Sequence, residues 1–511
     1  MPHLPSPLPP QALSIAVAAF AGVLTACAVW WSFGVNPASC DNSMHAAAIG
    51  YGREALRTGS LWPYVHDLHL GWDAYGLYCW PFFVALSIGA SALHILGTPA
   101  PDQTMVRLAS AGAVLLLPLV AAWFGMTLAR CTGEPDDPTA AAERRARWGL
   151  GAALGAGAFL WIPVDRHLGI GISTFRIGLL SQAWGWSGLL LVLGWWLRLM
   201  TVPYADRRAW CTALCAFALA AVGLFATHNL TVLSACIVLA VASAVAWRAW
   251  RRTALAAGLC LLLGGWYVSV FVHHGSTGLP FTLTMDARTA WTFLPVLTAH
   301  SIGHVTWLTA LSALTLLTLI VVWAVWAPRV PALRPLLAGM AALAVISLTP
   351  DLQDLLPGHL HWYRSGPHLL LVAAVGGGAL VVDRYGDRWR VFHPRGTIGL
   401  AILCTILSSW SIAGTSPPGP FAAAGTRLDA WQALATQARD AGIPRLASAA
   451  SRSPDAGHNH DNALVAYQTG MDLACGAQTT LCGPPYHWTA LTLRHLGLHT
   501  NVMPFHLDPL I

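Results

Sequence analysis

Long apolar runs alternate along this chain with short loops that hold nearly all of its charge. About twenty apolar residues in a helix cross a hydrocarbon core, and runs of that kind fall at 11–33, 105–129, 148–163, 179–200, 209–227, 231–247, 253–272, 305–327, 335–349, 365–382 and 397–414. The pattern predicts eleven transmembrane helices. Four Arg clusters punctuate them: Arg130, Arg144, Arg145 and Arg147; Arg207 and Arg208; Arg248, Arg251 and Arg252; and Arg384, Arg388, Arg390 and Arg395. Basic loops are retained on the cytoplasmic side, and all four clusters lie there if the N-terminus is inside. A twelfth apolar stretch, Leu77 to Leu96, would break this order as a span. It is expected instead to lie in the outer interface, where its Pro81 and the run Trp72, Tyr75, Tyr78 and Trp80 fit.

The alternation leaves two large segments outside, 34–104 within a membrane domain of residues 1–414, and a soluble tail of residues 415–511. In the first, Asp41-Asn42-Ser43 is a capping sequence for a short helix through Leu56 that Gly59 ends. In the tail, Arg427 to Ala441 places Leu428, Trp431, Leu434 and Ala438 on one helical face. The N-terminus has neither a basic n-region nor a small-residue cleavage site, so the first span is expected to be retained.

Composition narrows the class. The 511 residues are 56% hydrophobic and 10% charged, with a mean hydropathy of +0.56, whereas soluble domains carry about a quarter charged residues. An ordinary soluble enzyme, a disordered chain and a nucleic-acid binder are excluded, and an all-α polytopic membrane protein remains. The net charge is +6 and all 28 basic residues are Arg. Of the eleven cysteines, Cys40, Cys79, Cys475 and Cys482 fall outside, and two even pairs in an oxidising compartment predict disulfides Cys475–Cys482 and Cys40–Cys79.

The first outer loop carries the chemistry. It reads Asp41-Asn-Ser-Met-His45, then Gly52-Arg53-Glu54 through Gly59, then Trp62-Pro63, the aromatic run to Trp80-Pro81-Phe82-Phe83, Leu96-Gly97, and Arg107-Leu108. This order resembles the GT-C membrane glycosyltransferases, in particular the lipid A aminoarabinose transferases, the protein O-mannosyltransferases and membrane proteins related to pyruvoyl-tetrahydropterin synthase. The last group shares the Asp-x-x-x-His arrangement. Asn42 stands where several of these families have Glu, and Trp80-Pro81-Phe82 replaces their Pro-Pro-Leu. The resemblance implies a GT-C-type helical bundle in the cytoplasmic membrane of a bacterium or archaeon. Its donor would be a polyprenyl-phosphate-linked sugar, its acceptor a glycan, lipid or protein.

Glycosyl transfer with inversion needs a carboxylate to take the proton of the attacking group. Asp41, at the outer end of the first span, is placed to meet a phosphosugar presented from the bilayer; it also suits a helix N-cap. His45, at i+4, shares its helix face and joins it as the second catalytic candidate. A departing lipid phosphate calls for Arg donors. Arg364, with His361 and Tyr363 beside it, is the first choice, and Arg53 and Trp62 complete the expected substrate-binding set; a snorkelling role suits Arg364 equally. By analogy with oligosaccharyltransferases of the same fold, Asp165 and His167 are candidate ligands, with Asp41, for a divalent metal. His228-Asn229 and His273-His274 lie where they could line the same cavity. Two other classes fit a chain of this kind: a secondary transporter, disfavoured because nearly all charges sit at span ends, and a catalytically silent GT-C relative acting as a scaffold.

Overall fold

Three helix starts in this chain are set by side-chain caps, at Asp137, Asp206 and His228. The computed structural model describes residues 10–32, 41–61, 64–65, 72–73, 80–133, 135–160, 180–275, 307–349, 365–385, 432–443, 465 and 467–470. Its long helices are α1 (Pro10–Ser32), α2 (Asp41–Arg57), α3 (Trp80–Ile95), α4 (Pro101–Cys131), α5 (Pro138–Leu160), α6 (Leu180–Thr201), α7 (Arg207–Thr227), α8 (Asn229–Val245), α9 (Trp250–Gly275), α10 (Trp307–Trp326), α11 (Arg334–Leu348) and α12 (Gly366–Tyr385). Ten of the eleven apolar runs thus coincide with helices, and the run at 397–414 lies outside the described residues. The largest shift is in α5, which begins ten residues before its apolar run. There the Asp137 carboxylate accepts from the amides of Thr139 and Ala140, and Pro138 takes the first helical position. Asp206 caps α7 in the same way through the Ala209 amide.

Between α2 and α3, Tyr64–Val65 and Trp72–Asp73 form a two-stranded antiparallel ribbon, a departure from purely helical structure that periodicity over so few residues does not signal. Gly59 (φ 77°) and Gly97 (φ 74°) end α2 and α3 in the left-handed conformation, with the Ser60 and Thr98 amides reaching back to Ala55 and Leu93. At sixteen residues α3 is about 24 Å long, short of the roughly 30 Å hydrocarbon core. By length and composition α4, α7 and α12 qualify as membrane spans on their own. Two helix pairs qualify jointly, Asn229–Val245 with Trp247–Trp266 (bent by 100°) and Leu314–Arg329 with Pro331–Ser347 (111°).

The bundle gathers its Arg clusters at one end. Cys131 Sγ lies 3.4 Å from Thr201 Oγ1, Arg144 donates to Thr132 and to the Gly133 carbonyl, and Arg144 Nε is 3.7 Å from Asp383 at the end of α12. Arg252 donates to the orphan carbonyls of Leu199 and Met200 at the end of α6 and covers the ring of Tyr204. At the opposite end Arg107 donates to the Trp30 carbonyl at 3.0 Å and stacks on the same indole, joining α4 to the end of α1.

Helices in lipid associate by close packing rather than by a hydrophobic drive between them, and here glycines supply the closeness. A Cβ on Gly378 would sit 2.2 Å from the Gly151 carbonyl oxygen, and one on Gly155 would sit 2.1 Å from that of Ala374, so the α5 and α12 backbones touch. On its other side α12 meets α10, with Gly377 against the Leu319 carbonyl and Gly376 against the Trp323 indole. Around this axis pack Trp148, Trp186, Phe124, Phe159 and Leu371, all essentially buried.

In thermal unfolding in a fixed lipid or detergent, Gly378→Ala should cost about 2 kcal/mol or more, because the obstructing atom is rigid backbone. Gly265→Ala, on the open face of α9 with nothing within 4 Å, should be neutral or gain up to about 1 kcal/mol from helix propensity.

Candidate functional site

Helix α2 opens the site region, and its sequence explains how it sits. Asp41, His45, Ile49 and Arg53 recur every fourth residue, so their backbone positions form one stripe. His45 is fully buried with its ring 5.2 Å from that of Phe83 on α3. One turn on, Ser87 of α3 donates to the Ile49 carbonyl at 3.1 Å. One turn further, Arg53 Nε and Nη2 donate to the two carboxylate oxygens of Asp102 in the first turn of α4, each at 3.1 Å. Arg53 and Asp102 are 9% and 7% exposed. That burial is tolerable because the pair is bidentate.

A residue of the tail closes this pair into a ring. Arg53 Nη2 donates to Tyr467 Oη at 2.8 Å, and Tyr467 Oη donates to Asp102 Oδ2 at 3.2 Å. The Tyr467 ring meets Tyr51 edge-on at 4.9 Å. The hydrogen bond to Asp102 holds the Arg53 guanidinium above its ordinary pKa, against the opposing effect of burial. Burial, and next the negative field of Asp102, push the Tyr467 phenol well above the usual tyrosine range.

A second polar cluster joins α8 to α12 at the same end. Thr231 Oγ1 lies 2.9 Å from His368 Nε2 and 2.7 Å from His228 Nδ1, and Ser234 Oγ lies 3.0 Å from both His368 Nδ1 and Ser365 Oγ. All five residues are buried. His228 Nδ1 already accepts the Thr231 amide as the cap of α8, so the Thr231 hydroxyl must donate to it and accept from His368 Nε2–H. In a neutral ring His368 Nδ1 is then an acceptor, and it shares the Ser234 hydroxyl, 3.0 Å away, with the Leu230 carbonyl, also at 3.0 Å. Gly185 of α6 packs directly on Thr231 and His228, and Trp184 donates to the Ala109 carbonyl of α4. The cluster therefore ties four helices together just where α12 begins.

The expected site residues divide accordingly. Asp41 is the first residue of α2, and its side chain lies outside what the structure describes. His45 faces α3 and Arg53 is engaged by Asp102 and Tyr467, while Trp62, His361, Tyr363, Arg364, Asp165 and His167 lie outside the described residues. So do Cys40, Cys79, Cys475 and Cys482; the six described cysteines are free thiols. His228, read as a cavity-lining residue, is instead a buried helix cap. In the tail, the helix over 432–440 buries Ala438 as expected and Ala435 besides, but leaves Leu434 51% exposed, while Leu428 and Trp431 lie outside the described residues. It packs through Arg439, which donates to the Thr469 carbonyl at 2.6 Å. Asp102, Tyr467 and His368 were not singled out by sequence: each lacks a motif, and their partners lie 49 to 414 positions away.

The fold is similar to that of ArnT from Cupriavidus metallidurans, a GT-C glycosyltransferase, whose apo crystal structure matches with a TM-score of 0.54 at 14% identity, over 94% of this chain and 88% of ArnT. The crystal structure of the same protein bound to undecaprenyl phosphate matches with a TM-score of 0.50 at 14% identity, over 95% of this chain and 88% of that one. No protein-family model matches the sequence, and no curated protein does.

Two measurements check this geometry. Nitrogen-15 spectra of His368 should report the Nε2–H tautomer, with Nδ1 unprotonated. Contact between Tyr467 and Arg53–Asp102 should persist up to about pH 10, the ordinary tyrosine pKa. Above it the undocked phenol ionises while the docked one resists, so docking should weaken about tenfold per pH unit until the raised pKa is reached. Hydrogen exchange across 465–470 as a function of pH reads this directly.

Proposed function

We propose that this chain is an integral membrane glycosyltransferase that moves a sugar from a polyprenyl-phosphate donor to a glycolipid, polysaccharide or protein acceptor at the outer membrane face. The observation that carries the reading is a fold likeness over nearly the whole chain to a transferase captured with undecaprenyl phosphate. The first-loop order from Asp41 to Arg107 supports it independently. Exposed apolar side chains such as Ile95, Leu261 and Leu262 suit a bilayer.

In this reading the Asp41 carboxylate takes the proton of the acceptor nucleophile as its oxygen or nitrogen bonds to the anomeric carbon. The bond from that carbon to the phosphate oxygen breaks on the opposite side, and the phosphate leaves with the bonding pair. His45, one turn below and fixed on Phe83, holds the face of α2 that carries the base. Arg364, with His361, Tyr363 and Trp62, receives the developing phosphate charge.

A divalent metal held by Asp165 and His167 with Asp41 remains part of the proposal as candidate ligands only. Among the described residues no group of three metal-binding side chains occurs, and no step here passes through a metal. The topology proposed is eleven spans, N-terminus inside, with α3 in the outer interface and the domain of 415–511 outside, where Cys475–Cys482 is oxidised.

Asp41→Asn keeps the size and capping ability of the side chain and removes its charge. It should lower transfer from a polyprenyl-phosphate sugar at least about a thousandfold in single-turnover assays, with thermal stability unchanged. Full activity in this variant would remove Asp41 as the base. Failure of the purified wild-type protein to bind polyprenyl phosphate at all would favour the scaffold reading. A tag at Ile511 should be labelled only from outside; labelling only from the cytoplasm would overturn the topology.

A further inference from the structure

We propose that the tail is a working part of the site, in which Tyr467, through Arg53 and Asp102, is a positioning residue for α2. The inference rests on the reading of Asp41 as the base and goes beyond it by giving the C-terminal segment a role.

The argument starts from the surface α2 presents. Residues 44 to 50 are buried on every side of the helix, among them Met44, His45 and Ile49 as well as Ala46, Ala47, Ala48 and Gly50, so α2 is enclosed and moves as one rod. Contacts at 45, 49 and 53, along the stripe that Asp41 begins, fix its register: the His45 ring on Phe83, the Ile49 carbonyl on Ser87 and the Arg53 fork on Asp102. The first two hold α2 to α3. The third reaches α4, and a residue from the far end of the chain takes part in it.

The ring of three is closed and saturated. Asp102 alone would hold the Arg53 fork in its own plane; Tyr467 adds a bond to Arg53 Nη2 and another to Asp102 Oδ2, fixing the pair against rotation. Its aromatic body lies over α2 where no side chain intervenes. A Cβ on Gly50 would stand 2.2 Å from Tyr467 Cζ, so this glycine is the seat of the ring. The segment bearing Tyr467 is itself braced, since Arg439 holds the Thr469 carbonyl, Gln432 donates to Gln468, and Val465 is fully buried. Arg53 is twelve residues from Asp41, about 18 Å along the helix. A shift of one contact there therefore displaces the whole rod, including the carboxylate at its other end. Displacement by about 1 Å costs on the order of a hundredfold in a group-transfer rate.

Two variants reach the same contact from opposite sides. Tyr467→Phe keeps the ring and deletes both hydroxyl bonds; Gly50→Ala, favourable for helix propensity, obstructs the ring from α2. Both are made in the full chain in lipid nanodiscs and read by hydrogen exchange, and by kcat and KM with a polyprenyl-phosphate sugar. Each should raise exchange about tenfold or more at 465–470 and also within α2. Each should lower kcat by about ten- to a hundredfold, with KM for the donor within about threefold. Faster exchange confined to the tail, with α2 unchanged, would overturn the proposal, as would unchanged exchange in both. If the wild-type protein transfers no sugar, the proposed activity fails, while exchange in α2 still decides whether Tyr467 positions that helix.

Discussion

The close approach of α12 to α5 on one side and α10 on the other is the constraint on which the structure turns. Lipid tails are as apolar as the side chains they touch, so burying a Leu between two helices gains little over leaving it in the bilayer. What remains is dispersion at short range, and this falls away within an ångström. The run Gly376-Gly377-Gly378, facing Gly151 and Gly155, lets backbone meet backbone on both faces of one helix. With α12 held at that distance, its two ends are set. Asp383 meets Arg144 at the Arg-rich end, and His368 meets Thr231 and Ser234 at the other.

Polar groups near the end away from the Arg clusters divide into two kinds of fastening. The His228, Thr231, His368 and Ser234 cluster is made of hydroxyls and imidazoles and is buried within the bundle. The Arg53, Asp102 and Tyr467 ring is charged and sits at the edge of the bundle, where a loop helix, a long apolar helix and the tail converge. The first joins helices to one another; the second joins the bundle to the segments that cover it.

Much of the architecture was legible in the residue pattern. Ten apolar runs became helices, all but α5 within a few residues of their expected bounds, and Gly59 ended its helix as its position implied. The errors were local and physical. The polar start of α5 was missed because the Asp137 cap and Pro138 extend a helix into residues that hydropathy counts as loop. In the tail helix Ala438 is buried as expected, but Leu434 is exposed and Ala435 buried, because the helix is held to the segment around Thr469 through Gln432 and Arg439 rather than through Leu434.

Hydropathy and charge determined by themselves that this is a helical membrane protein, and the order of features from Asp41 to Arg107 carried the resemblance that the fold likeness to ArnT matches. These are properties of residues near one another in the chain, and periodicity or charge asymmetry expresses them without any knowledge of partners. Tertiary structure alone decided that Arg53 is bound to Asp102, that Tyr467 closes the pair from over 360 positions away, and that His228 caps a helix inside a hydroxyl and imidazole cluster. The reason is that an Arg, a Tyr or a His can donate to many acceptors. Which one it meets depends on where backbones come to rest, and here that depends on glycines whose significance appears only when two helices touch.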